Sequence, residues 1–570
     1  MAGFLVHGGG EPDDGPADRA FGRKGLRCDR AVPFAGGTLR LYARADGGGC
    51  GHRRGADGNW AAYVGTLLFR GREGVAALDA ILASGLPLEA LEAELMGNFV
   101  LFLQRDGRLL LAQDRGAALR VYRNAGGDRL SNALLALTAG ESPRAPSAQA
   151  LYEYVFYGLS FGEETPLAGV VTLDDARSWD LIARAPGPRR AQPFAPLAAA
   201  PMAEQLASVE SDLLDTFGTL ASAFDGSVTA ALSGGYDSRL MLAILRKLGV
   251  APRLYVYGRP EDADVRVARS IAEGEGLALE VVDKHEAAPL SVDAWLGVLR
   301  RNFHFFDALS ADGIFDNGSD HATRAERAAK ARLQLNGAGG EIFRDFWNLP
   351  DRRFAIRPFL ETRYDPGDTS ALSDRFDRGE FLARFAAKVQ SLLGIERGWV
   401  TRREMERLYP LLRNRWAGAN IMLNNQLGAS LLPFAEPRFV ERSLGVPLRF
   451  KRYGRFQAAL IASLDPALAR YPSSYGYSFS EPVSWKRRLR AQARRQLPLA
   501  LRRLRRRGQT ARPALPYYLR GEYREAVFGR RELAIREFLD PDAITDPLRL
   551  ARAFSVELLI GGHREAVGLD

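Results

Sequence analysis

The stretch from residue 227 to residue 248 constrains the fold of this chain more than any other part of its sequence. Residues 227–232 form a mostly apolar run that predicts a buried strand. Leu240, Ile244 and Leu248 recur every four residues, which predicts one face of a helix. A strand that turns directly into a helix is typical of a parallel α/β sheet, so we expect such a sheet here.

The turn between this strand and helix reads Ser233-Gly-Gly-Tyr-Asp-Ser238. Gly234 and Gly235 allow successive N–H groups to point at an anion, and the following helix presents its positive end there. Ser233 and Ser238 can donate hydroxyl hydrogen bonds to phosphate oxygens. Asp237 would repel a phosphate unless Mg²⁺ lay between them, so the turn predicts a magnesium-phosphate site. The alternative is a simple turn in which Asp237 caps the helix.

A Walker A phosphate loop is excluded, because none of the seven lysines is followed by Ser or Thr. Residues 231–238 instead resemble the pyrophosphate loop of the N-type ATP pyrophosphatases, which include asparagine synthetase, β-lactam synthetase and lasso-peptide cyclases. In most of these enzymes a carboxylate attacks the α-phosphate of ATP, pyrophosphate leaves, and a nitrogen nucleophile displaces AMP. The resemblance implies ATP and Mg²⁺ as cofactors. It assigns pyrophosphate binding to Ser233, Gly234, Gly235, Asp237 and Ser238.

A second glycine-rich segment, Leu335-Asn-Gly-Ala-Gly-Gly-Glu-Ile-Phe343, follows about 100 residues later. It resembles the second nucleotide loop of asparagine synthetases, with Ala338 where that family has glutamate. The resemblance implies that Glu341 binds Mg²⁺ together with Asp237. The family's adenosine contacts map to Leu232 and Gly337. The alternative is again a plain glycine-rich turn.

The family's lysine that contacts the α-phosphate aligns with Ser474, and Lys486 is the only lysine nearby. Lys486 therefore joins Asp237 and Glu341 as a predicted catalytic residue. Residues 432–436, Leu-Pro-Phe-Ala-Glu, resemble a further block of the family, for which we predict a mainly structural role.

The first part of the chain predicts a different architecture. Short apolar runs separated by turns, such as residues 64–69, 99–103 and 109–112, indicate an antiparallel sheet layer with one or two helices. The start of the chain resembles that of class II glutamine amidotransferases, whose exposed terminal cysteine attacks glutamine. Ala2 stands in place of that cysteine, and Val64-Gly-Thr66 is the best match to the glutamine pocket. We therefore expect the glutaminase half to be inactive.

These patterns predict three parts. Residues 1–185 form an α+β sandwich resembling the Ntn-hydrolase, class II amidotransferase-like domain, with a degenerate site. Residues 186–202, which contain five prolines, form a linker. Residues 203–570 form an α/β parallel-sheet ATP pyrophosphatase domain of the asparagine synthetase type, with a helical C-terminal part.

The composition bears on the location of the protein and on the metals that it could bind. No apolar run is long enough to span a membrane, and residues 1–10 do not resemble a signal peptide. The two cysteines and six scattered histidines form no recognisable metal motif. We expect a cytoplasmic protein without a built-in transition metal.

Basic charge is concentrated in one segment. The chain carries a formal net charge of +10, and residues 486–507 alone contain eleven Lys or Arg and no acid. Such a patch predicts a polyanionic partner, either RNA, an anionic membrane or an acidic peptide. The alternative is a solvated helix face whose arginines pair with acids elsewhere.

The sequence as a whole predicts an ATP-dependent, AMP-forming amide ligase of the asparagine synthase type. It would activate a small-molecule or peptide carboxylate as an acyl-adenylate for attack by an amine or ammonia. Two alternatives remain open: an intramolecular cyclase similar to β-lactam synthetase or lasso-peptide cyclases, and a catalytically degenerate scaffold. An RNA-modifying pyrophosphatase is a third, which tRNA binding would favour.

Overall fold

The computed structural model describes residues 2–9, 15–116, 119–141, 145–190, 196–284, 288–507, 514–561 and 568, with the side chains of 414–416 and 504–507 excepted. In chain order, the elements up to residue 190 are β1 (Gly3–Gly8), α1 (Gly15–Arg23), β2 (Arg27–Phe34), β3 (Gly37–Ala43), β4 (Cys50–Arg54), β5 (Trp60–Phe69), β6 (Arg72–Glu73), α2 (Gly74–Ser84), α3 (Leu88–Glu94), β7 (Leu95–Arg105), β8 (Arg108–Gln113), β9 (Tyr122–Asn124), β10 (Arg129–Ser131), α4 (Leu134–Leu137), α5 (Ala148–Tyr157), β11 (Val170–Thr172), β12 (Trp179–Asp180) and β13 (Ala185–Pro186).

Later elements are mainly helical. They are α6 (Met202–Ala223), β14 (Val228–Ala231), α7 (Tyr236–Lys247), β15 (Arg253–Tyr257), α8 (Ala263–Gly274), β16 (Leu279–Val282), α9 (Val292–Phe305), α10 (Ser319–Lys330), β17 (Leu333–Leu335), β18 (Phe354–Ala355), α11 (Ile356–Arg363), α12 (Arg378–Leu393), β19 (Trp399–Val400), α13 (Arg402–Asn425), β20 (Ala429–Leu431), α14 (Pro437–Gly445), α15 (Leu448–Lys451), α16 (Arg455–Leu464), α17 (Pro466–Arg470), α18 (Trp485–Gln496), α19 (Leu499–Arg507), α20 (Gly521–Phe528) and α21 (Pro547–Ile560). Short 3₁₀ turns cover Gly340–Phe343, Pro433–Ala435, Arg452–Gly454, Tyr517–Leu519, Ala534–Glu537 and Pro541–Ala543.

Two antiparallel sheets make up the first part. One has the order β11-β9-β10-β1-β3-β2, and the other has the order β13-β12-β8-β7-β5-β4, with β6 on β5. Their inner faces pack together, and Phe4 of β1 meets Phe102 of β7 edge-on with ring centroids 5.0 Å apart. Helices α2 and α3 cover the outer face of the second sheet, and α1 and α4 cover the first. The predicted sandwich is therefore present, as four layers.

Burial on both faces explains why these strands are apolar without alternation. All ten residues of β5 are buried, because one face of the strand packs in the sandwich and the other meets α2. Strands β7 and β8 are joined by a tight turn, in which Asp106 has a positive φ of 51°. The one or two helices predicted with this sheet layer correspond to α2 and α3.

A five-stranded parallel sheet forms the centre of the second part, in the order β16-β15-β14-β17-β20. The chain leaves β14 through α7 to β15 on one side and returns later to β17 on the other side. The loops after β14 and β17 thus diverge at the carboxyl edge of the sheet, where a crevice opens. The predicted sheet is confirmed. Its edge strand β20 was not predicted, because the sequence beyond residue 370 reads as almost entirely helical.

The two parts share a hydrophobic core and buried polar contacts. One cluster runs from Leu68 and the α5 helix to α21 at the end of the described chain. Thr66 Oγ donates to Asn425 Oδ1 at 2.8 Å, and the Lys24 ammonium meets Asp307 Oδ1 at 2.7 Å. Residues 191–195 of the predicted linker lie outside the described residues, and the domain boundaries stay a prediction. Among the described helices, none has the length and apolarity needed to cross a membrane.

Candidate functional site

The loop after β14 lies at the crevice between the diverging connections. Leu232 is buried, and its N–H continues the pairing to Tyr255 O at 2.9 Å. The chain then turns through residues 233–235, and α7 begins at Tyr236. Strand, glycine turn and helix therefore occur in the predicted order. The N-terminal end of α7 faces the crevice, which is the position that favours an anion.

The N–H groups of this loop form hydrogen bonds within the protein. Ser233 N donates to Ser238 Oγ at 3.0 Å, and Gly235 N donates to Ser233 Oγ at 3.3 Å. Gly234 N donates to Asp264 Oδ1 at 2.9 Å. The Asp264 carboxylate, from the first turn of α8, therefore accepts a hydrogen bond from a loop N–H that could otherwise bind an anion. Asp264 is a site residue whose contact the sequence did not predict.

The second glycine loop packs directly against the first. A Cβ added to Gly340 would lie 2.6 Å from Asp237 Oδ1, and one added to Gly337 would lie 3.4 Å from the Asp237 backbone carbon. Gly339 has a positive φ of 95° and donates its N–H to Glu341 Oε2 at 3.2 Å. The glycines thus permit the close approach, and the Glu341 carboxylate lies near enough to Asp237 to act on it electrostatically.

Several charged and polar groups of the site act on the Asp237 carboxylate. Its side chain is 21% exposed, so it remains open to the crevice. Burial raises the pKa of Asp237 to about 6; the Glu341 carboxylate raises it as well, while the Arg344 guanidinium and the Gln457 amide lower it. Arg344 Nη2 donates to both Asp237 oxygens, at 3.0 and 3.2 Å, and Gln457 Nε2 donates to Oδ1 at 2.8 Å.

Arg344 is the most important site residue that the sequence did not predict. Its guanidinium carbon lies 4.9 Å from the centre of the Tyr236 ring, and Nη1 donates to Tyr475 Oη at 3.5 Å. A signal was available, because Arg344 is the first cation after the second glycine block and two converging carboxylates require a cation nearby. Gln457, on α16, gave no comparable signal.

Ser474 and Lys486 lie differently with respect to the loop. Ser474 N donates to Gly234 O at 3.0 Å, so this segment covers the loop closely. Lys486 is exposed at the start of α18, with its ammonium 5.7 Å from the Trp485 ring. Its neighbour Arg487 reaches the site, since Nη2 donates to Tyr236 Oη at 3.5 Å. A catalytic role for Lys486 stays a prediction.

The donor set fits a nucleotide-bound Mg²⁺ ion. No group of three or more potential His, Cys, Asp or Glu ligands converges among the described residues. Mg²⁺ in nucleotide sites is commonly held by one or two carboxylates, with water and phosphate completing the octahedron. Asp237 and Glu341 supply the two carboxylates, and Asp237 Oδ2 accepts only the Arg344 hydrogen bond among the described contacts.

The sandwich contains no activated nucleophile where the amidotransferase resemblance places one. Ala2 is fully buried, and its carbonyl accepts from Asn132 Nδ2 at 3.2 Å. Cys50 borders a nearby cavity of about 720 Å³, but burial raises the pKa of its thiol to about 12. The thiol therefore stays protonated at neutral pH. Thr66, in the segment aligned with the glutamine pocket, bonds Asn425 instead.

Comparisons with known proteins leave the family undetermined. No protein-family model matches the sequence, and no curated protein matches it. Among solved structures, the chain is similar to the glutamine phosphoribosylpyrophosphate (PRPP) amidotransferase from B. subtilis complexed with ADP and GMP. The identity is 10%, the alignment covers 52% of this chain and 70% of that chain, and the TM-score is 0.23. Because that TM-score is low, the fold stands on the architecture described above.

Proposed function

We propose that this protein is an ATP- and Mg²⁺-dependent, AMP-forming ligase that activates a carboxylate for attack by an amine or ammonia. The observation that carries the proposal is the meeting of Asp237 and Glu341 at the carboxyl edge of β14 and β17. Ligands of open α/β sheets bind where neighbouring connections diverge in this way. A carboxylate pair beside a helix N-terminus suits a magnesium-bound polyphosphate.

Each group of the site has a distinct task in this proposal. Ser233, Ser238 and the loop N–H groups would hold the pyrophosphate, after the Gly234 N–H exchanges Asp264 for a phosphate oxygen. Bound Mg²⁺, held by Asp237 and Glu341, would neutralise charge on the phosphates. Arg344 would shift from Asp237 towards the α-phosphate of the adenylyl group that is transferred, adding a positive charge where negative charge develops.

The residues of the sandwich limit which nitrogen donor the proposed ligase could use. Ala2 carries no nucleophile and the Cys50 thiol is held protonated, so ammonia released from glutamine is not expected. The donor would be free ammonia or an amine within the substrate. An intramolecular amine corresponds to the β-lactam-synthetase-like or lasso-peptide-cyclase-like reaction, in which one molecule supplies both carboxylate and nitrogen.

A scaffold without catalytic activity is the second candidate. The favouring observation is that the N–H groups of Ser233, Gly234 and Gly235 already have protein partners, one of them the Asp264 carboxylate. A scaffold would keep these bonds and bind no nucleotide. Nucleotide binding therefore separates the two candidates.

The first test is thermal unfolding with ATP and Mg²⁺. A ligase should be stabilised, by about 2.7 kcal/mol when ATP·Mg is present at 100 times its Kd. Asp237→Asn should lose this stabilisation and substrate-dependent AMP release, because an amide is a weaker magnesium ligand. Helix α7 should survive, because its N-cap is Gly235 and Asp237 accepts no capping hydrogen bond from the helix backbone within the described residues.

Asp293→Asn is the matched control. Asp293 is the second residue of α9, as Asp237 is the second residue of α7, but it is exposed. This variant should respond to ATP·Mg as the wild type does. An unchanged melting temperature of the wild type in saturating ATP·Mg would reject the ligase and favour the scaffold.

A further inference from the structure

The arginine-rich segment divides into inward and outward groups. Arg487 lies over the Tyr477 ring, with 3.3 Å from its guanidinium carbon to the ring centre, and Arg495 Nη2 donates to Tyr453 Oη at 3.2 Å. Arg502 donates to backbone carbonyls, and Arg503 pairs with Asp365 at 2.7 Å. These arginines hold α18 and α19 against the protein, which accounts for part of the segment without any partner.

Two parallel ridges of side chains run along the outward face of α18, a cation ridge and an apolar ridge. Lys486, Arg490 and Arg494 follow one another at four-residue intervals, so they lie on one face, and all three are exposed. None of them forms an ion pair with any acid in the described chain. Beside them, Trp485 and Leu489 are 69% and 62% exposed, the highest values among the large apolar side chains of the described residues.

The charge of α18 also opposes its own stability. Lys486, Arg487 and Arg488 all lie in the first turn, which contains no acidic residue. Cations are unfavourable at a helix N-terminus, because the helix dipole is positive there. An arrangement that costs stability, and that lies on an exposed face, is expected where a binding partner compensates for it.

We propose that this face of α18 is the docking surface for an extended peptide segment with acidic residues at alternate positions. Four residues of α-helix rise about 6 Å, which is the spacing along the cation ridge. Alternate side chains of an extended chain are about 6.7 Å apart and point to the same side. Three alternating carboxylates therefore match Lys486, Arg490 and Arg494, and apolar side chains flanking them cover Trp485 and Leu489.

Other polyanions fit this surface less well. Single-stranded RNA is bound by successive bases stacking on several aromatic rings, and α18 exposes only Trp485. A membrane-surface helix buries one whole apolar face in the lipid. The face of α18 opposite its exposed ridges instead carries Arg487 and Arg495, which pack on tyrosines.

The position of α18 connects this surface to the candidate site. Arg487 touches Tyr236, the residue before Asp237, and Tyr477 stacks on Tyr475 with ring centres 5.9 Å apart. A peptide docked on the outward face of α18 would thus be separated by this one helix from the loop that we assign to ATP. If the ligase proposal holds, such a peptide is the carboxylate substrate; the docking itself does not depend on that activity.

The test is fluorescence anisotropy at low salt, without nucleotide. The probe is a labelled peptide in which three glutamates alternate with threonines and a leucine follows. Two comparison peptides carry the same residues with the glutamates adjacent, or lysines in their place. Binding should be tightest for the alternating peptide and should weaken with salt. Arg490→Glu/Arg494→Glu should weaken it at least tenfold, and Trp485→Ala should weaken it too.

Arg520→Glu/Arg530→Glu is the control, with the same change in net charge at two exposed arginines outside α18. It should bind within about twofold of the wild type. All variants should remain folded by circular dichroism because the altered side chains are exposed, with only a small loss of stability from a glutamate in the last turn of α18. Equal binding of the adjacent-glutamate peptide, unchanged binding by Arg490→Glu/Arg494→Glu, or tighter binding of single-stranded RNA or phosphatidylserine vesicles would overturn the proposal. Absence of ATP binding in the separate unfolding assay would reject the ligase alone.

Discussion

The Asp237 carboxylate lies so close to Gly340 that no side chain larger than a hydrogen fits there. Because a Cβ at position 340 would lie 2.6 Å from Asp237 Oδ1, even the smallest side chain must displace the carboxylate. We expect Gly340→Ala to weaken ATP·Mg binding at least tenfold, which is about 1.4 kcal/mol. The measurement is the Kd for ATP·Mg by titration calorimetry, with the melting temperature of the free protein as a check on folding.

Gly297→Ala is a control for the loss of a glycine. Gly297 lies within α9, and a Cβ there meets no atom within 4 Å. This variant should bind ATP·Mg normally and gain up to about 1 kcal/mol of stability, because alanine is the better helix former. If Gly340→Ala bound ATP·Mg with wild-type affinity, the contact between the two glycine loops would not be needed for nucleotide binding.

Because Ala2 has no nucleophilic group, the sandwich is not expected to hydrolyse glutamine. We expect the wild type to release no glutamate from glutamine, and Ala2→Cys to release none either. A thiol at position 2 would restore the nucleophile but not the pocket, because Thr66 of the aligned segment is engaged with Asn425. The assay is glutamate release by purified protein. Release above a boiled control by the wild type, or a clear gain in Ala2→Cys, would contradict this expectation.

Local sequence signals predicted individual elements with uneven success. Helix α7 contains Leu240 and Ile244 of the predicted helix face, since the apolar period there is regular. Strand β20 was missed because three residues carry no detectable period, and its place in the sheet depends on pairing with β17. The two glycine blocks predicted that Asp237 and Glu341 share a magnesium site, and this stays a prediction. The contacts of Arg344, Gln457 and Asp264 were not predicted, because each depends on tertiary packing.

A buried ion pair joins helix α12 to helix α5. Lys388 Nζ donates to both oxygens of Glu153, at 2.8 and 2.9 Å, and the Glu153 side chain is fully buried. Lys388→Met should lower the free energy of unfolding by about 3–5 kcal/mol, because it leaves a buried carboxylate without its cation. Urea denaturation monitored by circular dichroism measures this change.

Arg384→Met provides the comparison on the same helix. Arg384 pairs with Glu164 at a largely exposed position, so its loss should cost about 0–1 kcal/mol. Adding Glu153→Gln to Lys388→Met should recover much of the lost stability, since the buried charge then disappears with its partner. Equal effects of the two single substitutions would show that the buried pair is not a major fastening of α12.

The sandwich contacts the parallel-sheet part through the turn of residues 432–436, for which the sequence predicts a mainly structural role. Gly97 and Asn98, on β7, contact the turn that carries Leu432 and Glu436. Phe434 of the same turn packs between Phe217 and Phe343. The turn thus touches the sandwich on one side and the second glycine loop on the other. Changes in this contact should therefore affect the stability of the whole chain.

Glu436 makes this junction sensitive to pH. Its side chain is buried and accepts the Gly97 N–H at 2.9 Å; burial raises its pKa from 4.5 to about 7, against the lowering effects of the Gly97 N–H and Arg438. The folded state therefore keeps a proton that the unfolded state loses, so stability is highest below pH 4.5 for this group and falls as the pH rises to about 7. The loss should be about 3 kcal/mol.

Glu436→Gln tests this linkage, because the amide fills the same space and never ionises. Relative to the wild type, the variant should gain about 3 kcal/mol of unfolding free energy between pH 5 and pH 8, because up to about pH 7 the unfolded wild type loses the Glu436 proton that the folded wild type keeps. Urea denaturation at a series of pH values measures the difference. Glu441→Gln, on the adjoining helix at a side chain that is 52% exposed, should follow the wild type across this range. A constant difference between Glu436→Gln and the wild type would mean that Glu436 is ionised throughout, and that Arg438 and the Gly97 N–H together outweigh the cost of its burial.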